Sequence, residues 1–248
     1  MTKIELSYSA HQPVVESALI LCGGKGTRLA SSLPNVQKCC APLGPTNPLE
    51  IIFRRLRLIG VERFFFLTGH LAPETEAIIK RFTGNHAGVT TLSADPDQST
   101  GQTIESIRDL IPNEFIYHHG NLMLADYHYG KLLQEYGATQ RTTLLVCDNN
   151  KNLTHPVVGL ETTGRISEVG RHNLISNHFS KKSSVGVGVY KKEDIDNSAS
   201  SETDLTTEQC LRPNDSIIMA VDIDNNWIHI ENSEDYQDAQ MRYMRYAT

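Results

Sequence analysis

The segment "LILCGGKGTRLASSLPNVQK" at 19–38 holds the residues best suited to chemistry. Gly23, Gly24 and Gly26 remove side chains just after an apolar run, while Lys25, Thr27, Arg28 and, ten residues on, Lys38 supply a hydroxyl and three cations. Glycines in such a place let the backbone take positive φ or approach a ligand closely. Main-chain N–H groups presented by the turn form a nest for an anion, and the cations reinforce it. The chemistry indicated is the gripping of a phosphate chain. The spacing is neither that of a P-loop, which needs four spacers and then Gly-Lys-Ser/Thr, nor GxGxxG. By themselves the glycines are equally compatible with a tight strand-to-helix turn.

The surrounding elements must place that loop. "ALILC" (18–22) is apolar at every position and predicts a strand buried on both faces. Asn47 as cap, Pro48 in the first turn and Gly60 as stop predict a helix over 47–59. Strands are predicted at 63–69, 88–94, 114–120 and 141–148, and helices at 73–82, 102–110 and 127–137. Strand and helix thus alternate over about 150 residues, the pattern of a Rossmann-like, mostly parallel sheet flanked by helices on both faces. In such sheets ligands bind at the C-terminal strand ends, which is where the glycine loop falls. Beyond residue 150 the texture turns to β-segments ("HPVVGLE", "GRISEVG", "SSVGVGVYKK"), a polar stretch at 194–204 reads as a loop, and strands at 216–223 and 227–230 precede a helix at 233–246. Ser233 followed by Tyr236 is not a capping box, although Glu234 and Asp235 suit a first turn. The expectation is one α/β domain over 1–248, with a nucleotide-binding half at about 18–150 and a β-richer half at 151–248 that covers it.

Bulk properties narrow the class. The chain has 248 residues, 39% hydrophobic and 21% charged, with a formal charge of −6. No long basic run is present, which disfavours nucleic acid or an anionic membrane surface as partner. Cys22, Cys39, Cys40, Cys147 and Cys210 are odd in number and lack CxxC spacing, so reduced thiols and a cytoplasmic location are expected. Residues 1–17 contain no apolar signal core, and no run has the apolar length of a membrane span. His118 and His119 lie on a predicted strand and therefore face opposite sides, without the companion ligands that zinc requires.

"LILCGGKGTRL" with its following lysine resembles the GGxGTRL…Pro-Lys signature of the sugar-1-phosphate nucleotidyltransferases. Further stretches resemble that family in order: "NPLEIIFRRLRLIGVERFFFLTGH", "STGQTIESI", "FIYHHGNLML", "SVGVGVYKKEDI" and "WIHIENSEDYQDAQ". Length and overall likeness are most similar to the short forms acting on hexose or heptose 1-phosphates, especially the guanylyl-transferring ones. The resemblance implies the nucleotide-diphospho-sugar transferase fold and the transfer of a nucleotidyl group to a sugar 1-phosphate with release of pyrophosphate. It implies that Gly23, Gly24, Lys25, Gly26 and Thr27 cradle the triphosphate, and that Arg28 binds its β- and γ-phosphates. Lys38 would contact the α-phosphate or the attacking phosphate, although Gln37 stands where the family has proline. Leu21 and Cys22, with the turn Gly101, Gln102 and Thr103, would bracket base and ribose, while Gly120, Asn121, Gly186 and Arg171 would meet the sugar phosphate. Cys39 and Cys40 replace a Pro-hydrophobic pair and suit small buried hydrophobes rather than nucleophiles.

One implied feature is altered. Relatives hold Mg²⁺ with two aspartates, and the matching positions here are Asn121 and His229. Magnesium prefers carboxylate oxygen and water. Asp222, Asp224 or Asp126 could supply the acid instead, the triphosphate could carry the ion, or the chain could be an impaired relative that binds nucleotide or NDP-sugar as a regulatory subunit. Transfer is the favoured reading because the phosphate loop is intact; a glycosyltransferase is disfavoured because "DID" (222–224) is the only near match to Asp-x-Asp. Expected ligands are therefore a nucleoside triphosphate, GTP first, and a sugar 1-phosphate, with Mg²⁺ as cofactor, neither nucleic acid nor membrane as partner, and a homodimer as the expected assembly.

Overall fold

The computed structural model describes residues 15–30, 32–95, 97–148, 156–170, 175–195, 211 and 216–247, with side chains to 243. Arg171, Cys210 and most of the polar stretch at 194–204 lie outside these residues. The chain runs β1 (Ser17–Leu21), α1 (Pro48–Leu58), β2 (Arg63–Thr68), α2 (Ala72–Thr83), β3 (Val89–Ser93), α3 (Thr100–Ser106) and β4 (Glu114–His119). It continues with β5 (Leu122–Leu124), α4 (Asp126–Thr139), β6 (Thr143–Cys147), β7 (Val157–Leu160), β8 (Arg165–Gly170) and β9 (Ser180–Lys191). It ends with β10 (Ile218–Asp222), β11 (Trp227–His229) and α5 (Ser233–Ala247).

Among the described residues nine strands form one mixed sheet in the order β3-β2-β1-β4-β9-β6-β10-β8-β7. The first four are mutually parallel, as the alternation of strand and helix requires. β9 runs antiparallel between β4 and β6, and its first residues also pair with β7, with Ser183 opposite Val157. Strands β9, β6, β10, β8 and β7 therefore close into a ring at one end of the sheet. A separate two-stranded ribbon pairs β5 with β11, His229 lying opposite Leu122.

Apolar side chains on both sides of the strands explain their burial. Ala18 and Ile20 join Phe53, Phe64, Phe66, Tyr129 and Tyr136 in a core beneath α1, α2 and α4. Leu19, Leu67, Phe115, Tyr117 and Ile104 form the opposite layer with α3. A smaller cluster, including Leu29, Met123, Ile230, Tyr236 and Ala239, packs α5 against the ribbon. Helix α1 begins as its sequence requires, since the Asn47 side chain accepts the Glu50 N–H at 2.9 Å and Pro48 needs no intrahelical donor partner.

The start of α5 at Ser233, where the sequence places it, has a specific cause. Asn232, one position before Ser233, is its cap: its Oδ1 accepts the N–H groups of Glu234 at 2.9 Å and Asp235 at 3.0 Å. Asp235 Oδ2 returns the contact to the N–H of Asn232 at 3.3 Å and also takes that of Glu231 at 3.0 Å. A reciprocal box thus exists one residue upstream of Ser233, whose own spacing to Tyr236 offers none. Likewise α3 starts at Thr100, two residues before its predicted start, because Ser99 and Gln102 form a capping box.

Candidate functional site

Four neighbouring strands, β3, β2, β1 and β4, end along one cleft of about 240 Å³. Ala94, Leu67, Leu21 and His119, at or within one residue of the strand ends, line it. Cys22, Gly23, Gly24 and Gly26 continue the wall directly from β1. The loop is fastened through its carbonyls: Gly23 O accepts His70 N–H at 3.0 Å, Gly24 O accepts Gln37 Nε2 at 2.9 Å, and Gly26 O accepts Leu29 N–H at 2.9 Å. Gly26 has φ of +62°, a conformation that a Cβ would strain. Gln37, which stands in place of a proline, donates to both Gly24 O and His70 O and so ties the glycine loop to the loop after β2.

The cations divide into two groups. Lys25 pairs with Asp97 at 2.5 Å. Arg28 and Lys38, by contrast, converge on one carboxylate, that of Glu231. Arg28 Nη1 donates to Glu231 Oε2, and Lys38 Nζ lies 3.3 Å from Oε1. Lys38 is presented from a short 3₁₀ turn at Lys38–Cys40, whose two cysteines are buried as expected of small hydrophobes. Contact with Cys22, backed by burial, holds the Cys39 thiol well above the usual thiol range, and contact with Cys39 and burial do the same for Cys40, so neither is a thiolate nucleophile.

The paired histidines separate as strand alternation demands. His118 is fully buried; its Nδ1–H donates to His119 O at 2.8 Å, so its Nε2 accepts from Tyr129 O–H at 2.8 Å in the neutral ring. His119 lines the cleft, with Nε2 3.0 Å from Tyr117 Oη. Burial pushes its pKa down to about 4, with Glu231 opposing that shift and Lys38 adding to it. Gly186, at φ of +83° across a register shift between β6 and β9, lies under that ring: a Cβ there would come within 2.7 Å of His119 Nδ1.

Of the residues read from sequence, Leu21, Cys22, Gly23, Gly24, Gly26 and Lys38 line the cleft, as do Thr103 and Asn121. Gly101 and Gln102 serve the start of α3 instead; the lining residues there are Gln98, Thr100 and Thr103. Gly120 allows β1 and β4 to approach, since a Cβ would lie 2.6 Å from Leu21 O. Asp222 and Asp224 are placed elsewhere. Asp222 shares Lys182 with Asp148, at 2.9 and 2.6 Å respectively. Asp224 takes the hydroxyl of Tyr127 and lies 3.0 Å from His128 Nε2, contacts that hold its carboxyl at about 2. Asp126 pairs with Arg55 at 3.1 Å. Glu231 is the functional candidate that the sequence pattern does not single out, whereas Gln37 stands out as a missing proline and His119 as one of an adjacent pair. Glu231 stands two residues past β11, within the segment "WIHIENSEDYQDAQ" that resembles the family.

Asn121 and His229 meet each other. Asn121 Nδ2 donates to Ile230 O at 2.8 Å and lies 3.1 Å from His229 Nε2. His229 Nε2 is in turn 3.3 Å from Glu231 Oε1. This donor set, an amide turned by its N–H₂, an imidazole and a carboxylate already facing two cations, does not fit a hard divalent ion. Among the described residues no cluster of three or more His, Cys, Asp or Glu could hold a metal. No described helix is long and apolar enough to cross a membrane, and Cys22, Cys39, Cys40 and Cys147 are buried.

The fold and the sequence have counterparts among known proteins. No family model matches the chain. It is 24% identical over 143 residues to the bifunctional protein GlmU of Methanocaldococcus jannaschii, which covers 55% of this chain and 34% of that protein. It is 30% identical over 100 residues to the D-glycero-alpha-D-manno-heptose 1-phosphate guanylyltransferase of Campylobacter jejuni, covering 39% of this chain and 43% of the relative. The chain thus spans well under half the length of these curated relatives. Among solved structures, the inositol-1-phosphate CTP transferase of Thermotoga maritima superposes with a TM-score of 0.76 at 16% identity, over 94% of this chain and 98% of the other. A UDP-glucose pyrophosphorylase bound to UDP-glucose superposes at 0.75 and 14% identity, over 94% and 99%. HddC of Yersinia pseudotuberculosis complexed with GMP-PN gives 0.69 at 16% identity, over 92% and 100%. The protein has the nucleotide-diphospho-sugar transferase fold, and the resemblance carried by the glycine loop is matched by both sequence and structure.

Proposed function

We propose that the protein transfers a nucleotidyl group from a nucleoside triphosphate to a sugar 1-phosphate, releasing pyrophosphate and forming an NDP-sugar. The observation that carries this reading is the convergence of Arg28 and Lys38 on one point beside a glycine loop, at the ends of four adjacent strands. A single carboxylate now stands where both cations aim, which is the position a polyphosphate oxygen would take.

A phosphate oxygen of the sugar 1-phosphate would attack the α-phosphorus, forming one P–O bond as the bond to pyrophosphate breaks. Such a displacement needs alignment of two anions and neutralisation of the charge that moves onto the leaving group. Arg28 would stabilise the departing pyrophosphate, and Lys38 would offset charge at the α-phosphate. Gly23, Gly24 and Gly26 would bring backbone against the phosphates, while Thr103 and the start of α3 would bound the base. His119 would meet substrate as a neutral ring, since its pKa lies near 4. Asn121 and His229 would act as a hydrogen-bonded pair, and any Mg²⁺ would arrive with the triphosphate rather than on protein carboxylates. GTP is the leading donor, by likeness to guanylyl-transferring relatives, and the two halves of the chain would bind nucleotide and sugar phosphate respectively. A homodimer in the cytoplasm remains the proposed setting.

The test is a matrix of GTP, CTP, UTP, dTTP and ATP against hexose and heptose 1-phosphates, scored by pyrophosphate release with Mg²⁺ or Mn²⁺. Turnover with at least one pair is expected. Saturable nucleotide binding without turnover in any combination would replace transfer with a binding role.

A further inference from the structure

We propose that Glu231 is a specificity-determining residue: it occupies the phosphate position as a resident anion, so that only a polyphosphate can take Arg28 and Lys38 from it. This rests on reading the cleft as a polyphosphate site. The carboxylate is one-fifth exposed and uses both oxygens, Oε2 on Arg28 and Oε1 toward Lys38, with His229 Nε2 also 3.3 Å from Oε1. Its placement is fixed by the fold. The Glu231 N–H is held by Asp235 Oδ2 at 3.0 Å, and Asp235 is itself locked to Asn232 by the box that starts α5. The adjacent Ile230 N–H donates to Asn121 O at 3.0 Å, which anchors the same turn to the end of β4. A carboxylate delivered from so constrained a turn is a built part of the site rather than a loose surface acid.

The consequence follows from charge. A monoanionic carboxylate held by two cations in a partly desolvated cleft is a competitor that any incoming anion must displace. An anion with one or two charges exchanges one modest ion-pair set for another and gains little. Pyrophosphate or a triphosphate brings more charge and more acceptor oxygens, and gains both cations as well as the glycine backbone. Glu231 therefore sets a lower limit on the charge of the ligand accepted there, separating the triphosphate donor from free phosphate and nucleoside monophosphates. A metal-ligating role for this acid would be silent once divalent ions are chelated, whereas a resident anion acts without metal.

Isothermal titration in EDTA, with orthophosphate, GMP and pyrophosphate as probes, decides between them. Glu231→Gln keeps the shape and removes the charge, and Glu231→Ala serves if the amide re-forms the contacts; circular dichroism confirms that each folds. Both variants are expected to bind pyrophosphate more tightly than the wild type, and to gain more for orthophosphate and GMP. The selectivity for pyrophosphate over orthophosphate should shrink by roughly tenfold. Unchanged selectivity, or weaker pyrophosphate binding in both variants, overturns the proposal while leaving the polyphosphate reading intact. If the wild type and both variants bind neither pyrophosphate nor any nucleoside triphosphate, the reading of the cleft fails together with it.

Discussion

Arg28 and Gly186 show how differently single residues matter in this cleft. The Arg28 side chain is half exposed, so its ion pair contributes little to stability, and its removal should leave the fold intact. Stabilisation of a leaving pyrophosphate is a different matter, because a preorganised donor at a developing charge is worth about 10²–10³ in rate. Arg28→Ala should therefore lower kcat/KM for pyrophosphate release by about that factor with an unchanged melting temperature; a full rate would remove Arg28 from the mechanism. Gly186→Ala should do the reverse. Its φ of +83° and the 2.7 Å approach of the new Cβ to His119 force the strand or the ring to move. A loss of about 1–3 kcal/mol in urea unfolding is expected. His118 completes the residue scale, since burial lowers its pKa to about 3 even though its hydrogen bond to the His119 carbonyl opposes the shift. The unfolded chain titrates near 6.5, so it binds a proton that the native state refuses. The native contribution is thus whole above pH 6.5 and declines as pH falls toward 3. Urea midpoints measured from pH 7.5 to 4 should drop accordingly, and less steeply in His118→Asn, whose side chain cannot become cationic.

At the scale of elements, the turn from β11 into α5 connects stability with the site. Asn232 satisfies two N–H groups of the first helical turn while Asp235 secures Glu231. Asn232→Ala should cost about 1 kcal/mol of stability, as loss of a helix cap does. The same change should loosen the Glu231 carboxylate and raise affinity for orthophosphate in EDTA, in the direction expected of Glu231→Gln but more weakly. Equal phosphate affinity with reduced stability would mean that the cap holds the helix alone. Much of this element structure was legible in sequence. Asn47-Pro48 and Gly60 bound a helix because they act locally, and the apolar strands of the first half are long enough to declare themselves. The β5–β11 ribbon was not legible at both ends: Leu122–Leu124 is three residues long, too short for any alternation, and exists because a partner about a hundred residues away pairs with it.

For the whole molecule, the site was legible where the chain is contiguous and opaque where distant segments meet. The glycine loop, Arg28 and Lys38 lie within one run of sequence, and the cleft at its strand end follows from a parallel sheet. Glu231 reaches Arg28 across 203 positions, and nothing near either residue announces the other. Gln37 is similar: in sequence it is a missing proline, while in three dimensions it joins two loops that begin on neighbouring strands. Asn121 and His229 read as a damaged metal site one at a time and as a mutual hydrogen-bonded pair once β4 and β11 are brought together.

The closed circuit of five strands has an implication for how this protein keeps itself separate. Among the described residues β7 returns to β9 and so pairs that flank of the sheet, and β3 lies at the border of the other flank. Its sequence, "VTTLS", is short and presents both threonines to solvent, a poor template for a visiting strand. Replacing Thr90 and Thr91 by valine would turn that border sticky, and light scattering on a warmed sample should report association in the doubly changed protein well before the parent.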